Sequence, residues 1–321
     1  MKKSIFEVIK KNIPAKSTVI AAFSGGPDSV FLLAKLLELK KTYPFNIVLA
    51  HFNHKLRGKE SDRDEDFSRK TAELFKIKFE TASSDIKKYA KFHKLNLEEA
   101  AREKRYDFLT KIQKKHLGKA ILTAHHLDDN IETFLINFLR GSGIQGLRSM
   151  QIKNQNILRP LLYTSKKEIL KYLKLKKLKF RMDSSNLDKS FIRNRIRLEL
   201  TPVIKKIQPK LENTFLYTWE NLNELNDFFD NEAEKWIDKN KINESEMNKP
   251  DFKNIHPALK KKIIQKLYEK THGSVAGLSK DLMERLADHI SNLKTGKKAP
   301  FGKKHMLVLT RNTFKITKYK A

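Results

Sequence analysis

The sequence predicts an α/β fold with a doubly wound, mostly parallel sheet, followed by a smaller and mainly helical domain. Through the first 140 residues, apolar runs of strand length alternate with stretches of helical length, which is the pattern of a parallel sheet covered by helices. From about residue 211 the apolar spacing is helical. Beyond it, the alternating segment 303–319 predicts a C-terminal β-hairpin that turns at Arg311-Asn312.

Each element of this fold follows from a local pattern. Apolar runs predict buried strands at residues 19–23, 46–52, 78–81 and 120–124, with 158–162 as a further candidate. Helical spacing predicts helices at residues 4–12, 30–37, 97–117, 165–178, 211–238, 257–270 and 278–293. It also predicts a helix that begins at residue 61 and another that ends at residue 139. Because Pro202 and Pro209 interrupt the pattern, we expect one domain at 1–206 and a second, basic and mainly helical domain at 207–321.

The charge balance points to a polyanionic partner. The 321 residues include 67 Lys and Arg against 37 Asp and Glu, a formal net charge of +30. A basic surface on this scale is typical of nucleic-acid-binding proteins. The alternative is compositional, because a chain rich in Lys, Asn and Ile can carry part of that lysine as ordinary solvated surface.

Several classes of protein are excluded or disfavoured by composition. The sequence contains no cysteine, which excludes disulfides, iron–sulfur ligation, cysteine zinc sites and thiol catalysis by these residues. No apolar run approaches the roughly 20 residues of a membrane span. Residues 1–15 lack the apolar core of a secretory signal. We therefore expect a cytoplasmic protein without membrane contact.

The segment between the first strand and the next helix has the residues of a phosphate-binding loop, Ser24-Gly25-Gly26-Pro27-Asp28-Ser29. Glycines let the backbone approach an anion, and the helix N-terminus adds free N–H groups and partial positive charge. The loop lacks the Gly-Lys-Ser/Thr ending of a Walker loop, whose lysine reaches the terminal phosphates. Such a loop suits a pyrophosphate group held by N–H groups and hydroxyls, with the bond broken at the α-phosphate.

Asp28 has two interpretations at this stage. A carboxylate is poorly placed to contact a bare anion, and a magnesium ion between Asp28 and the phosphates would remove the conflict. Alternatively, Asp28 caps the helix that follows.

A second polar loop, which follows the strand at 120–124, carries His125 and a group of acids. Asp128, Asp129 and Glu132 are three or four residues apart on the predicted helix and therefore share a face. Such carboxylates could hold magnesium, bind an ammonium group or remove a proton from an amine. In the alternative interpretation, they only complement the helix dipole.

Further candidate residues follow other strands and helices. His51 and His54 have metal-like spacing but no third ligand, so we expect His51 to hydrogen-bond to adenine or ribose. Arg102 and Arg105, three apart on a helix, could contact phosphate or carboxylate, or pair with nearby glutamates. Alternating arginines in a predicted extended segment could lie along a phosphate backbone; these are Arg193, Arg195 and Arg197.

The loop at 24–29 resembles that of the N-type ATP pyrophosphatases, and the other motifs resemble the tRNA(Ile)-lysidine synthetase family within it. The resemblance covers most of residues 19–200 in the family's order. The segments that carry it are residues 51–57, 98–106, 123–133, 140–147, 159–161, 183–186 and 193–197. The C-terminal third is similar only in its basic, helical character, so the chain resembles a short form without the extra C-terminal domain of some members.

This resemblance implies a two-step reaction on the isoleucine tRNA with a CAU anticodon. ATP adenylates O2 of the wobble cytidine and releases pyrophosphate; the amine of free L-lysine then attacks C2 and displaces AMP. The product, lysidine, changes codon specificity from AUG to AUA. Residues 1–206 would be the ATP-pyrophosphatase domain, 207–321 would bind tRNA, and no obligate protein partner is expected.

The resemblance and the residue chemistry together give each candidate a role. The residues expected to be catalytic are Asp28, Asp128, Asp129, Glu132 and Arg102. Those expected to bind ATP are Ser24, Gly25, Gly26, Pro27, Asp28, Ser29 and His51. Those expected to bind lysine or tRNA are His125, Arg105, Arg193, Arg195 and Arg197. We expect Asp28 and Asp128 to bind magnesium.

Three other functions are less consistent with the sequence. A tRNA thiolase on the same scaffold generally needs cysteines, which are absent. A small-molecule synthetase leaves the charge of +30 unexplained. A non-catalytic RNA-binding protein has no need of the glycine loop and the carboxylates.

Overall fold

The computed structural model describes residues 3–56, 58–182, 191–243, 245–275, 277–292, 295–302 and 304–319. The chain divides into two compact units, Met1–Trp219 and Glu220–Ala321. Within the described ranges, no helix combines the length and apolar character needed to cross a bilayer.

The first unit alternates strands and helices along the chain. Its strands are β1 Thr18–Ala22, β2 Asn46–Asn53, β3 Lys78–Ser83, β4 Ala120–Leu122, β5 Lys153–Asn154 and β6 Ile157–Leu158. Its helices are α1 Ile5–Asn12, α2 Pro27–Lys40, α3 Lys59–Leu74, α4 Ile86–His93, α5 Leu97–Lys115, α6 Leu127–Leu139, α7 Ile144–Leu147, α8 Lys166–Leu175, α9 Ile192–Arg195 and α10 Thr201–Ile207, with a π-helical turn, Ile196–Leu200, between the last two.

These strands form one sheet in the order β3-β2-β1-β4-β6-β5. All neighbours are parallel except the short β5–β6 pair. β1 is central, with Ala21 opposite Leu49 of β2 and Leu122 of β4. Because the carboxyl ends of β1, β2 and β4 lie at one edge, the loops that follow them meet there.

The sheet is covered on both faces, as the prediction of a doubly wound sheet requires. Val19 and Ala21 of β1 pack in the same cluster as the buried leucines of α2. Ile20, between them, packs on the opposite face with Leu109 and Ile112 of α5. Alternate residues of the central strand therefore bury against different helices, which explains its continuous apolar run.

The predicted elements of this unit are confirmed with shifts of a few residues at their ends. The predicted strand at 158–162 is shorter and lies at Ile157–Leu158, with a single isolated bridge from Leu161 to His126. The predicted capping box of α8 is present, with Ser165 and Glu168 bonded reciprocally. The pattern did not predict α4, which Asp85 caps.

The second unit combines helices with a small antiparallel sheet. Its strands are β7 Lys241–Asn243, β8 Glu246–Asn248, β9 Lys298–Pro300, β10 His305–Leu309 and β11 Thr313–Lys318, in the order β7-β8-β11-β10-β9. Its helices are the second part of α11 Leu211–Asn240, then α12 Pro250–Lys253, α13 Pro257–His272 and α14 Lys280–Asn292. The predicted C-terminal hairpin is confirmed as β10 and β11.

The division between the units falls at residues 219 and 220, within α11, rather than at the expected 206 and 207. The reason is the burial of the first part of α11. Phe215 and Trp219 pack with Leu127 and Ile131 of α6, and Trp219 Nε1 donates to the carbonyl oxygen of Arg148 at 2.7 Å. The first part of this helix therefore completes the core of the first unit.

Candidate active site

The carboxyl ends of β1, β2 and β4 border a cleft of about 470 Å³. This volume lies in the range of small-molecule sites. Seven of the predicted site residues line it: Ser24, Asp28, Ser29, His51, Arg105, His125 and Asp129. The loops that follow β1, β2 and β4 therefore meet at one site.

Glycine and proline shape the loop between β1 and α2. Gly25 has a φ of +79°, in the left-handed region, and a Cβ there would lie 3.0 Å from the ring of Phe67. Gly26 is the N-cap of α2 and Pro27 is in its first turn, where a missing N–H loses no helical bond. The Ser29 hydroxyl donates to the Gly26 carbonyl oxygen at 2.9 Å. The N-terminus of α2 thus supplies N–H groups and partial positive charge to the cleft.

Asp28 lies in the first turn of α2 but does not cap it, because this helix has no side-chain cap. Its Oδ1 instead accepts a hydrogen bond from Lys166 Nζ at 2.6 Å. His126 Nε2 lies 3.7 Å from the same oxygen. Asp28 is therefore not the cap of α2, and its carboxylate lies at the cleft.

Asp128 faces the start of α8. Its Oδ2 accepts the backbone N–H of Lys166 at 2.7 Å, and Lys205 Nζ lies 3.5 Å from Oδ1. Asp128 does not line the cleft. Its contacts show that it ties α8 to α6.

Asp129 and Glu132 share one arginine. Arg197 donates to both oxygens of Glu132 at 2.6 and 2.9 Å, and to Asp129 Oδ1 at 3.2 Å. The Glu132 side chain is 4% exposed, and this burial raises the pKa of its carboxyl even beside Arg197. Burial would also raise the pKa of Asp129, but the neighbouring His126, His125 and Arg197 hold it below the usual value. Asp129 is therefore an ionised carboxylate at the cleft, suited to an ammonium group.

The three alternating arginines are helical, which corrects the prediction of an extended segment. α9, the π-helical turn and α10 run consecutively from Ile192 to Ile207. Arg193 and Arg197, four residues apart, both face α6: Arg193 Nη2 donates to Thr133 Oγ1 at 3.0 Å. The Arg195 side chain is 64% exposed and pairs with Glu199. Arg193 and Arg197 therefore contact α6, and Arg195 is the most exposed of the three.

His125 is near the basic residues of α5. Thr123 Oγ1 lies 2.9 Å from its Nδ1, and burial and nearby arginines lower the pKa of His125 to about 3, so the ring is neutral in the physiological range. Arg105 and Arg102 lie over the ring of Tyr106, at 5.3 and 4.9 Å from its centroid. Burial lowers the pKa of Arg105, which lines the cleft. Arg102 is exposed and does not line it.

His51 is buried at the end of β2, with 4% of its surface exposed. Its Nδ1 lies 2.9 Å from the carbonyl oxygen of Phe23 and 3.1 Å from Ser68 Oγ. Burial lowers the pKa of this imidazole, which keeps it neutral. Because Nδ1 is engaged, Nε2 is the ring nitrogen that can meet a ligand in the cleft.

The structure adds residues that the sequence did not single out. Lys166 and His126 lie beside Asp28. Asp64 lines the cleft and pairs with Arg181, whose backbone N–H donates to the Gly25 carbonyl oxygen at 2.9 Å. Arg159 is 6% exposed, and burial lowers its pKa. In the sequence, Lys166 stands out only as part of the Ser165–Glu168 capping box, and a capping box indicates the start of a helix rather than a ligand-binding site.

Some sequence predictions fall outside the described residues. These are Arg57 of the motif at 51–57, the motif at 183–186, and the element ends at residues 293 and 303.

A glycine-containing loop after the central strand of a parallel sheet, at the edge of a charged cleft, defines the class of phosphate-binding α/β domains. The sequence profile of the family described as the PP-loop domain matches residues 1–204. The tRNA(Ile)-lysidine synthase of Clostridioides difficile strain 630 is 32% identical over 319 residues, which cover 97% of this chain and 67% of that protein. The chain belongs to the PP-loop family and, within it, to the family of the tRNA(Ile)-lysidine synthases.

Other similarities agree with this assignment. The tRNA(Ile)-lysidine synthase of Dehalococcoides mccartyi strain CBDB1 is 33% identical over 314 residues, covering 94% of this chain and 65% of that protein. The chain spans between about two fifths and two thirds of the length of the curated relatives it matches. Among solved structures, the U34-tRNA thiolase NcsA of Methanococcus maripaludis superposes with a TM-score of 0.57 at 17% identity, covering 68% of this chain and 78% of that one. That similarity concerns the fold alone.

Proposed function

We propose that this chain ligates free L-lysine to C2 of the wobble cytidine of the CAU-anticodon isoleucine tRNA. Attack of cytidine O2 on the α-phosphorus of ATP would release pyrophosphate, and attack of the lysine amine on C2 would then displace AMP. The observation that carries the proposal is the cleft itself. The phosphate-type loop and the carboxylate Asp129 line the same cavity, so an activated base and an amine could meet there.

The contacts suggest how the residues divide this work. The loop at 24–29 and the N-terminus of α2 would bind the ATP phosphates, and His51 Nε2 would meet the nucleoside. Asp129, ionised and at the cleft, would bind the ammonium of lysine. Glu132, buried and bonded to Arg197, would act by positioning. Arg105 would meet the carboxylate of lysine or a phosphate, as a half-buried guanidinium at the cleft is suited to do.

Magnesium fits the chemistry of Asp28 rather than a protein cage. Within the described ranges, no group of three or more His, Asp or Glu side chains is arranged to hold a metal ion. Mg²⁺ in nucleotide sites is commonly bound by one or two carboxylates together with phosphates. Asp28 lies at the cleft, and Asp128 does not line it; Asp28 would therefore hold the ion with ATP. Bound there, it would neutralise charge on the phosphates.

The tRNA would bind through the basic surface. The net charge of +30 supports a polyanionic partner, and the exposed Arg195 is one candidate contact. Residues after about 207 remain our proposed tRNA-binding region.

Incubation with ATP, labelled lysine and unmodified CAU-anticodon isoleucine tRNA tests the reaction. We expect equal amounts of labelled tRNA, pyrophosphate and AMP. No label should enter tRNA when ATP is omitted, or when the methionine tRNA with the same anticodon replaces the isoleucine tRNA. Folded protein that transfers no label would contradict the proposal. Pyrophosphate release without label would show that only the first step occurs.

The conformation of Gly25 predicts a second result. Gly25→Ala should weaken ATP binding by about tenfold or more, because the left-handed φ costs a non-glycine residue ~1–2 kcal/mol and the added methyl would press on Phe67. Gly141→Ala is the matched control, since its φ is +70° but nothing lies within 4 Å of its Cβ position. Calorimetric titration of both variants with ATP measures the difference, and equal affinities would show that the loop does not bind the phosphates.

A further inference from the structure

The helix α4, Ile86–His93, combines positive charge with an exposed aromatic ring. Residues 86–97 contain no Asp or Glu and four lysines, all of them exposed: Lys87, Lys88, Lys91 and Lys94. Phe92 is 83% exposed, more than any other phenylalanine in the part of the chain that the structure describes. An aromatic ring among lysines is the combination with which proteins bind single-stranded nucleic acid. Because exposed lysines are common in this chain, the position of α4 decides what its lysines can do.

The buried side of α4 lies against the wall of the cleft. α4 follows β3, which is parallel to β2 and therefore ends at the same edge of the sheet. The Ser84 N–H donates to the carbonyl oxygen of Asn53 at 3.1 Å, which holds the start of α4 at the end of β2. Ile86 packs in one cluster with Phe52 and Leu56, and both of these line the cleft. One layer of side chains therefore separates α4 from the cleft.

The outer side of α4 presents aromatic rings and an ammonium group together. The ring centroids of Phe92 and His93 are 4.9 Å apart, and those of His93 and Tyr89 are 4.2 Å apart. Lys88 lies four residues before Phe92, on the same face of the helix, and its side chain is 88% exposed. Its Nζ is 3.8 Å from a carboxylate oxygen of Asp85. A pair this exposed is weak, so Lys88 can turn to a phosphate.

We propose that α4 is an RNA-binding surface, on which Phe92 stacks against an unpaired base and the lysines bind backbone phosphates. The inference rests on the proposed function, which puts the wobble cytidine in the cleft. The neighbours of that cytidine in the anticodon loop are also unpaired, and unpaired bases of RNA loops are commonly bound by stacking on aromatic side chains. Because α4 lies one layer of side chains from the cleft, these neighbours can reach it while the cytidine remains in the cleft.

Fluorescence anisotropy with a labelled anticodon stem-loop RNA tests the stacking. We expect Phe92→Leu to weaken binding by about tenfold, within the range for loss of one stacked base, and Phe92→Tyr to keep wild-type affinity, because tyrosine retains the ring. Phe75→Leu is the matched control, since Phe75 is 41% exposed and ends α3 shortly before β3 begins, at the opposite edge of the sheet. A fully paired RNA of the same length should bind equally to wild type and Phe92→Leu.

Salt dependence tests the lysines. Replacing Lys88 and Lys91 together with glutamine should reduce the slope of log affinity against log salt concentration by about two, because each phosphate contact contributes about one. Replacing Lys111 and Lys114 with glutamine is the control: this pair has the same spacing and is exposed near the end of α5, toward the amino ends of the strands. Calorimetric titration should show unchanged ATP affinity in every variant, since none of the substituted residues lines the cleft.

Wild-type affinity in Phe92→Leu and a wild-type salt slope in the double lysine variant would overturn α4 as an RNA-binding surface. Losses of the same size in the control variants, or an equal loss with Phe92→Leu on the fully paired RNA, would also contradict it. The proposed function is tested separately by lysine incorporation in the wild type. Folded wild-type protein that incorporates no lysine would overturn that function, whereas the binding measurements would still decide the role of α4.

Discussion

Replacing Asp28 with asparagine is expected to reduce lysine incorporation into tRNA by on the order of 10³-fold, the upper range for loss of one electrostatic group in a closed site. The carboxylate lies at the cleft and binds the Lys166 ammonium at 2.6 Å. Its loss would remove the proposed magnesium ligand and leave Lys166 without its partner. Incorporation of labelled lysine under saturating ATP and tRNA measures the effect.

Asp66→Asn is the matched control for this substitution. The Asp66 side chain is 57% exposed and pairs with Lys70 on the surface of α3, so the same change of charge and shape occurs away from the cleft. We expect its activity to remain within about twofold of the wild type, since surface substitutions of this kind have small effects. An Asp28→Asn variant that keeps a tenth or more of wild-type activity would contradict the assignment of Asp28.

Replacing Arg197 with methionine is expected to lower the free energy of unfolding by about 3–5 kcal/mol, because it removes both hydrogen bonds to a buried carboxylate and leaves the longer pair with Arg193 at 3.7 Å. Arg197 bonds both oxygens of Glu132, whose side chain is 4% exposed, and also reaches Asp129. Because Asp129 would lose its bond to Arg197 and keep the one from the His126 N–H, lysine incorporation should fall as well. Urea denaturation gives the stability, and the lysine assay gives the activity.

The stability loss should depend on pH. Burial places the pKa of Glu132 above its usual value in the folded chain, and removal of Arg197 would raise it further. A carboxyl with a raised folded-state pKa destabilises the fold above that pKa; the penalty vanishes below the unfolded-state pKa, where the group is neutral in both states. The difference between Arg197→Met and wild type should therefore shrink from mildly alkaline to acidic pH.

Arg195→Met is the control, because Arg195 lies two residues away, is 64% exposed and pairs with Glu199 on the surface. Its stability should stay within about 0.5 kcal/mol of wild type. If both variants were equally stable at every pH, the bonds from Arg197 to Glu132 would contribute nothing to the fold.

Much of the first unit follows from the sequence because its signals are local and long. The run 19–23 and the Ser165 capping box each lie within one element, and the structure has β1 and α8 there. The meeting of the loops after β1, β2 and β4 at one site also follows from the sequence, since parallel strands end at a common edge. The small strands β7, β8 and β9 were missed because three residues are too few to show a period of two.

The site was predicted less completely because its contacts join distant residues. Nothing near Asp28 in the sequence indicates a bond to Lys166, 138 residues later. The alternation of Arg193, Arg195 and Arg197 was interpreted as extended, although Ile192 and Ile196 have the spacing of a helix. In a helix the spacing of four brings Arg193 and Arg197 to Glu132 and turns Arg195 away from it, whereas an extended segment would put all three arginines on one face.

The bond from the Arg181 N–H to the Gly25 carbonyl oxygen has a consequence for biosynthesis. Gly25 is made early, but its partner leaves the ribosome only after α2 through α8 have been synthesised. Contacts between residues so distant in sequence form late, because a large loop of chain must first be ordered. The phosphate loop of a nascent chain that ends before residue 181 therefore lacks this bond, so nucleotide binding should mature only after most of the first unit has emerged.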